Sequence, residues 1–366
     1  MTNAPTPNVP PGSIRVIIAD DSAFMRNALR RMLEIDPAFK IVGTGKNGQE
    51  AIDLCRQLHP DVLTLDVEMP VLDGLTALKK IMADITSPPA VLMCSSLTSA
   101  GSHEALAALR SGAADVIAKE GSTFSLNVDA MRDDLLAKIK AIALSRRLRG
   151  SPAAALARLA NPTSFKLDPR DLDLVVIGSS TGGPPVLETL VTALPADLHV
   201  PVVIAQHMPV MFTKSLAERL NGVASVRVFH GEHGKRVEPG TVTIAPGGLH
   251  TRIRGTPGRF SLEIGIEPTS ALYKPSVNEL FSSAAKASAA RTLGFVCTGM
   301  GEDGMLGSRD LKLAGARVIA QDMPSCVVYG MPKAVAQGGF AAASMNPEEM
   351  AKVMSQISAK PARSAA

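Results

Sequence analysis

Gly178-Ser179-Ser180-Thr181-Gly182-Gly183, at the end of the apolar run Leu172-Asp173-Leu174-Val175-Val176-Ile177, sets a serine where it could do chemistry. It fits Gly-x-Ser-x-Gly, the pattern of a serine carried on a tight strand-to-helix turn. A serine hydroxyl becomes a nucleophile only when a base takes its proton, usually a histidine held by a carboxylate. His207 ends the run Val202-Val203-Ile204-Ala205-Gln206, and Asp303 lies in Thr298-Gly299-Met300-Gly301-Glu302-Asp303-Gly304 after another apolar stretch. Ser180, His207 and Asp303 thus form a candidate acyl-transfer triad, nucleophile, base and orienter in that order. A second set lies upstream. Asp20-Asp21 closes Ile14-Arg15-Val16-Ile17-Ile18-Ala19, Asp66 closes Val62-Leu63-Thr64-Leu65, and Ser95 and Lys119 end two further runs. Phosphoryl transfer to a carboxylate needs a nucleophilic Asp, a divalent cation, and cations or hydroxyls around the phosphoryl oxygens. Asp66 suits the acceptor, Asp20 and Asp21 the metal, and Ser95 and Lys119 the phosphoryl group.

Each residue taken singly has a plainer use. A lone carboxylate here can be a helix N-cap, and Asp303 can cap the helical pattern Met305 to Leu313. His207 can be a hydrogen-bonded structural histidine. The glycines of 178–183 can hold a nucleotide phosphate, but the Gly-Lys-Ser/Thr of a P-loop and the full Gly-x-Gly-x-x-Gly spacing are missing. His230 and His233 flank Glu232 without the His-Glu-x-x-His spacing, so a surface loop is expected there rather than a metal site. Asp168, Asp171 and Asp173 read most simply as linker charges. What argues for chemistry is that the candidates all fall at the ends of strands.

Those strands are expected at 14–19, 40–44, 61–66, 90–95 and 114–118, and again at 173–178, 201–205, 225–229, 292–298 and 316–320. Amphipathic stretches lie between them, such as Ala23 to Ile35 with Phe24, Met25, Ala28, Leu29, Met32 and Leu33 on one side. Strands alternating with helices predict an α/β protein of two units. The first is a five-stranded parallel doubly wound sheet. The second is a doubly wound α/β unit with hairpins inserted in the Gly- and Pro-rich stretch 239–270. In such sheets ligands bind beyond the carboxyl ends of the strands, where both constellations fall. The boundaries expected are a disordered N-terminus at 1–12, a first domain at 13–147, a linker at 148–170 with some helix around Ala153 to Leu159, a second domain at 171–358, and a disordered tail at 359–366.

Composition narrows the function classes. With 366 residues the chain can bury two cores, and no Trp and 2 Tyr leave little for base stacking. Lys+Arg and Asp+Glu balance at 17 each in residues 1–150 and stand at 21 against 17 in 151–366. That excess is far below a nucleic-acid-binding signature, so no nucleic acid is expected. The four cysteines show no C-x-x-C, and Cys94 and Cys297 read as reduced core thiols. No apolar window is long enough to span a membrane, and residues 1–12 lack the apolar stretch of a signal peptide. A soluble, cytoplasmic protein without membrane insertion is expected.

Residues 13–147 resemble a response-regulator receiver domain. The resemblance rests on Asp20-Asp21, the block Asp66-Val67-Glu68-Met69-Pro70-Val71-Leu72-Asp73-Gly74, Ser95-Ser96 and Lys119. It implies that a histidine kinase phosphorylates Asp66, that Asp20, Asp21, Asp66 and the Glu68 carbonyl hold Mg²⁺, and that Ser95 and Lys119 touch the phosphoryl group. Two positions depart from the pattern. Glu120 follows Lys119 where proline is usual, and Val116 stands where many receivers carry a switching aromatic. Residues 171–358 resemble the catalytic domain of the chemotaxis protein-glutamate methylesterase family, CheB. The matching blocks are Gly178 to Gly183, Gln206-His207-Met208-Pro209, Ile244-Ala245-Pro246-Gly247, Pro275-Ser276-Val277-Asn278-Glu279-Leu280-Phe281, Thr298 to Gly304, and Ser325-Cys326-Val327-Val328-Tyr329-Gly330-Met331-Pro332.

That second resemblance implies a phosphorylation-activated serine esterase. Its substrates would be glutamate γ-methyl esters on the cytoplasmic domains of methyl-accepting chemoreceptors, with deamidation of receptor glutamines as a further activity and no cofactor for the esterase. It gives Ser180, His207 and Asp303 the triad roles and makes the amides of Thr181 and Met300 oxyanion-hole candidates. It further implies that the unphosphorylated receiver restrains the esterase. Rival readings are a transcriptional regulator, which would need a helix-turn-helix in place of the second α/β alternation, and a non-catalytic receptor-binding adaptor.

Overall fold

The computed structural model describes residues 12–96, 98–119, 128–149, 168 and 171–358. The expectations for residues 1–11, for Glu120, for the helix near Ala153 to Leu159 and most of the linker, and for the tail 359–366 lie outside the described residues. The chain divides into two compact units, Met1–Leu144 and Ser145–Ala366.

In the first unit, strands β1 (Ile14–Ala19), β2 (Phe39–Gly45), β3 (Val62–Asp66), β4 (Ala90–Ser96) and β5 (Asp115–Lys119) form one parallel sheet in the order β2-β1-β3-β4-β5. Helices α1 (Ala23–Glu34), α2 (Gly48–Leu58), α3 (Gly74–Asp84), α4 (Ser99–Arg110) and α5 (Val128–Arg149) alternate with them. The order reverses beside β1, so Asp20-Asp21 after β1 and Asp66 at the end of β3 are neighbours at the switch point. α5 runs two residues into the expected linker.

The second unit holds seven parallel strands in the order β14-β13-β12-β6-β7-β9-β8. They are β6 (Leu174–Ser179), β7 (Val202–Gln206), β8 (Arg227–His230), β9 (Thr241–Ile244), β12 (Thr292–Val296), β13 (Arg317–Gln321) and β14 (Ala343–Met345). β10 (His250–Arg254) and β11 (Ser261–Gly265) make a separate antiparallel pair. The helices are α6 (Gly183–Thr192), α7 (Val210–Asn221), α8 (Val277–Ser288), α9 (Met305–Leu313), α10 (Met331–Gln337) and α11 (Pro347–Ser355). β6, β7 and β12 are buried on both faces, which is why each reads as an unbroken apolar run.

Three expectations need correction. Thr241–Ile244 lies in the stretch read as inserted hairpins, yet it is a fully buried strand between β7 and β8. Its Thr-Val-Thr-Ile alternation imitates a hairpin strand, but both threonines are buried. β14, of three residues, was not expected and pairs with β13 at the sheet edge. Asp173 is not a loose linker charge, because the Arg291 guanidinium grips it with two bonds of 2.6 and 2.8 Å. All four cysteines are buried and none forms a disulfide. Burial pushes the thiols of Cys55, Cys94 and Cys297 up to about 12, so they stay inert.

Candidate functional sites

In the first unit the acidic residues converge as their strand ends require. Asp20, Asp21 and Asp66 each offer a carboxylate oxygen, and these oxygens lie within 4.8 Å of one another. Lys119, at the end of β5, places Nζ 2.8 Å from Asp20 Oδ2 and 2.7 Å from Asp66 Oδ1. The Asp20 contact lacks hydrogen-bond geometry, so that buried oxygen keeps unused lone pairs. Burial is the chief reason the Asp66 carboxyl is pushed up to about 6. The Lys119 bond and charge pull the other way, and the charges of Asp20 and Asp21 add to the rise. For Lys119 burial would lower the value, but the carboxylates of Asp20 and Asp66 close beside its Nζ prevail and hold it above the ordinary lysine range. Three clustered carboxylates with one unsatisfied oxygen fit a hard divalent cation. Glu68 is exposed in the loop after β3 and lines, with Asp21, a depression of about 530 Å³. Ser95 ends buried in β4 and donates to the Gly101 carbonyl at 2.9 Å.

The Asp-x-x-Met-Pro-x-x-Asp-Gly block has a mechanical basis. Asp73 caps α3 by accepting from the Thr76 amide at 2.8 Å. Gly74 packs so tightly on the Asp66 backbone that a Cβ would stand 1.8 Å from the Asp66 carbonyl oxygen. The glycine holds the loop against the end of β3.

In the second unit Ser180 follows β6, His207 follows β7, and Asp303 lies past β12, three adjacent strands of one sheet. His207 Nε2 meets Asp303 Oδ2 at 2.9 Å, while the buried Nδ1 has no hydrogen-bond partner. An ionised carboxylate only accepts, so Nε2 carries the proton and Nδ1 presents a lone pair. Asp303 does not cap its own helix. Its carboxylate sits on the N-terminus of α8, accepting from Val277 N at 2.7 Å, Asn278 N at 2.9 Å and Ser276 Oγ at 3.1 Å. The Gly304 amide adds a bond of 3.0 Å. Burial would raise this carboxyl, but the His207 bond and charge, with the amides of Asn278 and Val277, hold it below the ordinary carboxylate range.

The two adjacent serines separate cleanly. Ser179 is fully buried and donates to Gln206 Oε1 at 2.5 Å. Gln206 Nε2 in turn donates to the Ser180 carbonyl at 2.9 Å, tying β6 to β7. The Ser180 hydroxyl makes no hydrogen bond among the described residues, and its amide donates to Thr298 O at 3.0 Å. Glycines supply close approach around it. A Cβ on Gly299 would lie 2.7 Å from Ser180 Cβ, and one on Gly178 would lie 2.3 Å from Val277 Cγ1. Gly182 takes φ +77° to make the turn.

The nucleotide alternative fails at α6. Gly183 N is spent on the Ser180 carbonyl at 2.8 Å, and Pro184 and Pro185 have no N–H to offer. The same facts narrow any oxyanion site to backbone outside that helix, namely Thr181 before it and Met300 across the sheet. Among the described residues the Met300 amide donates to nothing. His230 Nε2 bonds Thr213 Oγ1 at 3.1 Å, and His233 Nδ1 lies 3.0 Å from Ile264 O, so neither is set up as a ligand.

Sequence reasoning assigned no role to Ser276, Asn278, His250 or Tyr273. His250 Nδ1 accepts from Ser276 N at 3.2 Å, and Asn278 Oδ1 accepts from Gly304 N and Gly307 N at 3.0 and 2.8 Å. The available signal was Ser276-x-x-Glu279, a helix-start pattern lying between two site segments.

Residues 175–354 match the CheB methylesterase family, and residues 16–128 match the response regulator receiver domain. A protein of Oleidesulfovibrio alaskensis named protein-glutamate methylesterase/protein-glutamine glutaminase 1 is 45% identical, over 93% of this chain and 98% of that one. The chain belongs to the CheB methylesterase family. A second relative, protein-glutamate methylesterase/protein-glutamine glutaminase 2 of Nitratidesulfovibrio vulgaris, is 42% identical over 92% of this chain and 97% of its own. Among solved structures, the CheB methylesterase catalytic domain of Thermotoga maritima is 37% identical, covering 50% of this chain and 97% of that one with a TM-score of 0.49. The family matches follow the order expected from the motifs, receiver first and methylesterase second. No described helix is long and apolar enough to cross a membrane.

Proposed function

We propose that this chain hydrolyses glutamate γ-methyl esters on chemoreceptor cytoplasmic domains, and deamidates receptor glutamines, when Asp66 is phosphorylated. The observation that carries the reading is the His207–Asp303 pair at 2.9 Å, with Nδ1 unpartnered and the Ser180 hydroxyl unbonded among the described residues. Ser180 Oγ attacks the ester carbonyl and His207 Nδ1 accepts its proton. Asp303 keeps the other ring proton on Nε2 and offsets the imidazolium charge. The amides of Thr181 and Met300 receive the oxyanion. The imidazolium proton leaves with methanol, or with ammonia from an amide. Water, deprotonated by the same nitrogen, then releases glutamate and restores Ser180.

Asp66 accepts the phosphoryl group from a histidine kinase, with Lys119 and Ser95 about it. Mg²⁺, held by Asp20, Asp21, Asp66 and the Glu68 carbonyl, would neutralise charge on the phosphoryl oxygens. The receiver restrains the esterase until that charge is added, and the protein works in the cytoplasm. Domain limits follow the same reading: receiver 13–147, linker 148–170, esterase 171–358. The test is methanol release from radiomethylated receptor membranes, with and without acetyl phosphate and Mg²⁺. Release that the wild type gives and Ser180→Ala does not supports the reading. Equal release from both refutes it.

A further inference from the structure

His207 has a second neighbour besides Asp303. The Tyr273 ring lies flat against it, with ring centroids 4.5 Å apart and planes 12° apart. We propose that Tyr273 is a positioning residue that fixes the rotation of the His207 ring, and so aims Nδ1 at Ser180. The inference rests on the esterase reading above.

The geometry explains why the Asp303 bond alone is not enough. Nε2 lies nearer than Nδ1 to the line continuing the Cβ–Cγ bond, so a small turn of the ring about that bond displaces Nε2 less than Nδ1. The bond to Asp303 therefore restrains the position of Nε2 more tightly than the direction in which Nδ1 faces. Nδ1 itself has no partner to hold it. A flat neighbour against the ring face opposes that rotation, and Tyr273 is that neighbour. The stack also sets the face of an aromatic ring against the imidazole at the step when it becomes a cation, an attractive arrangement.

Tyr273 is well placed to hold still. It is half-buried, two residues before Pro275 and three before Ser276, whose hydroxyl bonds Asp303 at 3.1 Å. One short segment thus carries both the group that orders Asp303 and the ring that orders His207. On the far side, the Tyr273 hydroxyl oxygen stands 3.5 Å from where a Gly301 Cβ would be. That is an ordinary contact distance, so the tyrosine packs against the loop carrying Met300. The neighbouring Leu272 is 83% exposed, so the segment faces inward through Tyr273.

The experiment compares Tyr273→Phe, Tyr273→Leu and Ser180→Ala in the full-length protein with acetyl phosphate and Mg²⁺. Methanol release gives kcat and KM, a fluorophosphonate probe gives the labelling rate of the serine, and thermal unfolding checks the fold. A misplacement of about 1 Å at a catalytic group can cost about a hundredfold in rate. A partial loss of aim predicts a fall in kcat of about tenfold or more for Tyr273→Leu, with KM nearly unchanged and labelling slowed in parallel. Tyr273→Phe keeps the ring and stays within about twofold of wild type. Tyr273→Leu matching wild type in kcat overturns the proposal, as does a rise in KM at constant kcat, which marks a substrate contact. A loss shared equally by Phe and Leu assigns the effect to the hydroxyl and also overturns it. Failure of the esterase reading looks different, because Ser180→Ala would then still be labelled and still release methanol.

Discussion

Asp303→Asn tests the site at its most connected point, because the substitution keeps shape and removes charge. Five donors reach this carboxylate: Ser276 Oγ, Asn278 N and Gly304 N at Oδ1, and Val277 N and His207 Nε2 at Oδ2. An amide can accept only through its one oxygen. With that oxygen at the Oδ1 position, the new NH₂ faces the Val277 amide, which had donated across 2.7 Å. The reverse orientation leaves the Asn278 amide unmatched, while Gly304 N keeps its bond to Asn278 Oδ1 at 3.0 Å. At least one buried N–H is therefore left unmatched, at a cost of about 1–3 kcal/mol. At about 2–4 °C per kcal/mol for a unit of this size, the unfolding transition should fall by roughly 2–12 °C.

The effect on rate is larger and has a separate cause. With the amide oxygen at the Oδ1 position, the new NH₂ donates to His207 Nε2, which drives the ring proton onto Nδ1, the nitrogen proposed as the base. A wrong tautomer in a Ser-His-Asp site costs on the order of 10⁴ in kcat. Calorimetry and methanol release on one preparation read both quantities. A folded variant within tenfold of the wild-type rate would show that Asp303 does not orient the base.

Four further outcomes follow from the same geometry. Ser179→Ala should lose about 1 kcal/mol of stability with the Gln206 bond, yet keep its rate, whereas Ser180→Ala should do the reverse; denaturant titration and turnover separate them. Gly178→Ala places a Cβ 2.3 Å from Val277 Cγ1, so α8 must shift with the amides that hold Asp303; a loss of about 1–3 kcal/mol with slower turnover is expected. Asp66→Asn should remain at its basal rate when acetyl phosphate and Mg²⁺ are added, because an amide cannot form the acyl phosphate; equal stimulation of variant and wild type would move the acceptor elsewhere. Folding holds the Asp303 carboxyl below its unfolded value of about 3.9, so its contribution is complete above that pH and fades as pH falls through the lower folded value. Acid unfolding curves of wild type and Asp303→Asn should therefore begin to converge below about pH 4 and finish converging only below the lower folded value.

The apolar runs Leu174–Gly178 and Leu293–Val296 were legible because no polar position interrupts them in strands buried on both faces. The meeting of Ser180, His207 and Asp303 at one sheet edge was legible for a related reason: each follows such a run, and strand ends in parallel sheets gather at one edge. Thr241–Ile244 escaped because buried threonines look like a solvent face, and Ala343–Met345 because three residues carry no period. Tyr273 and His250 escaped for a different reason. Their partners, His207 and Ser276, are 66 and 26 residues away in the chain, and a stack or a single hydrogen bond leaves no spacing to read. The glycines were noticed as a motif, but their purpose was not visible until Val277 and Ser180 could be seen pressing on them.

The place of β12 beside β6 has a consequence for how the protein comes off the ribosome. Leu174 pairs with Thr292, so the central seam of the sheet joins segments 118 residues apart. At about 5–20 residues per second, synthesis needs roughly 6–24 s to deliver the second strand after the first. Throughout that interval one edge of the apolar strand Leu174–Ser179 has no partner, and an uncovered apolar edge invites pairing with another chain. The Asp303 carboxylate arrives later still. A nascent chain thus carries Ser180 well before Asp303 exists, and on the proposed mechanism hydrolyses nothing until the sheet has closed across that seam.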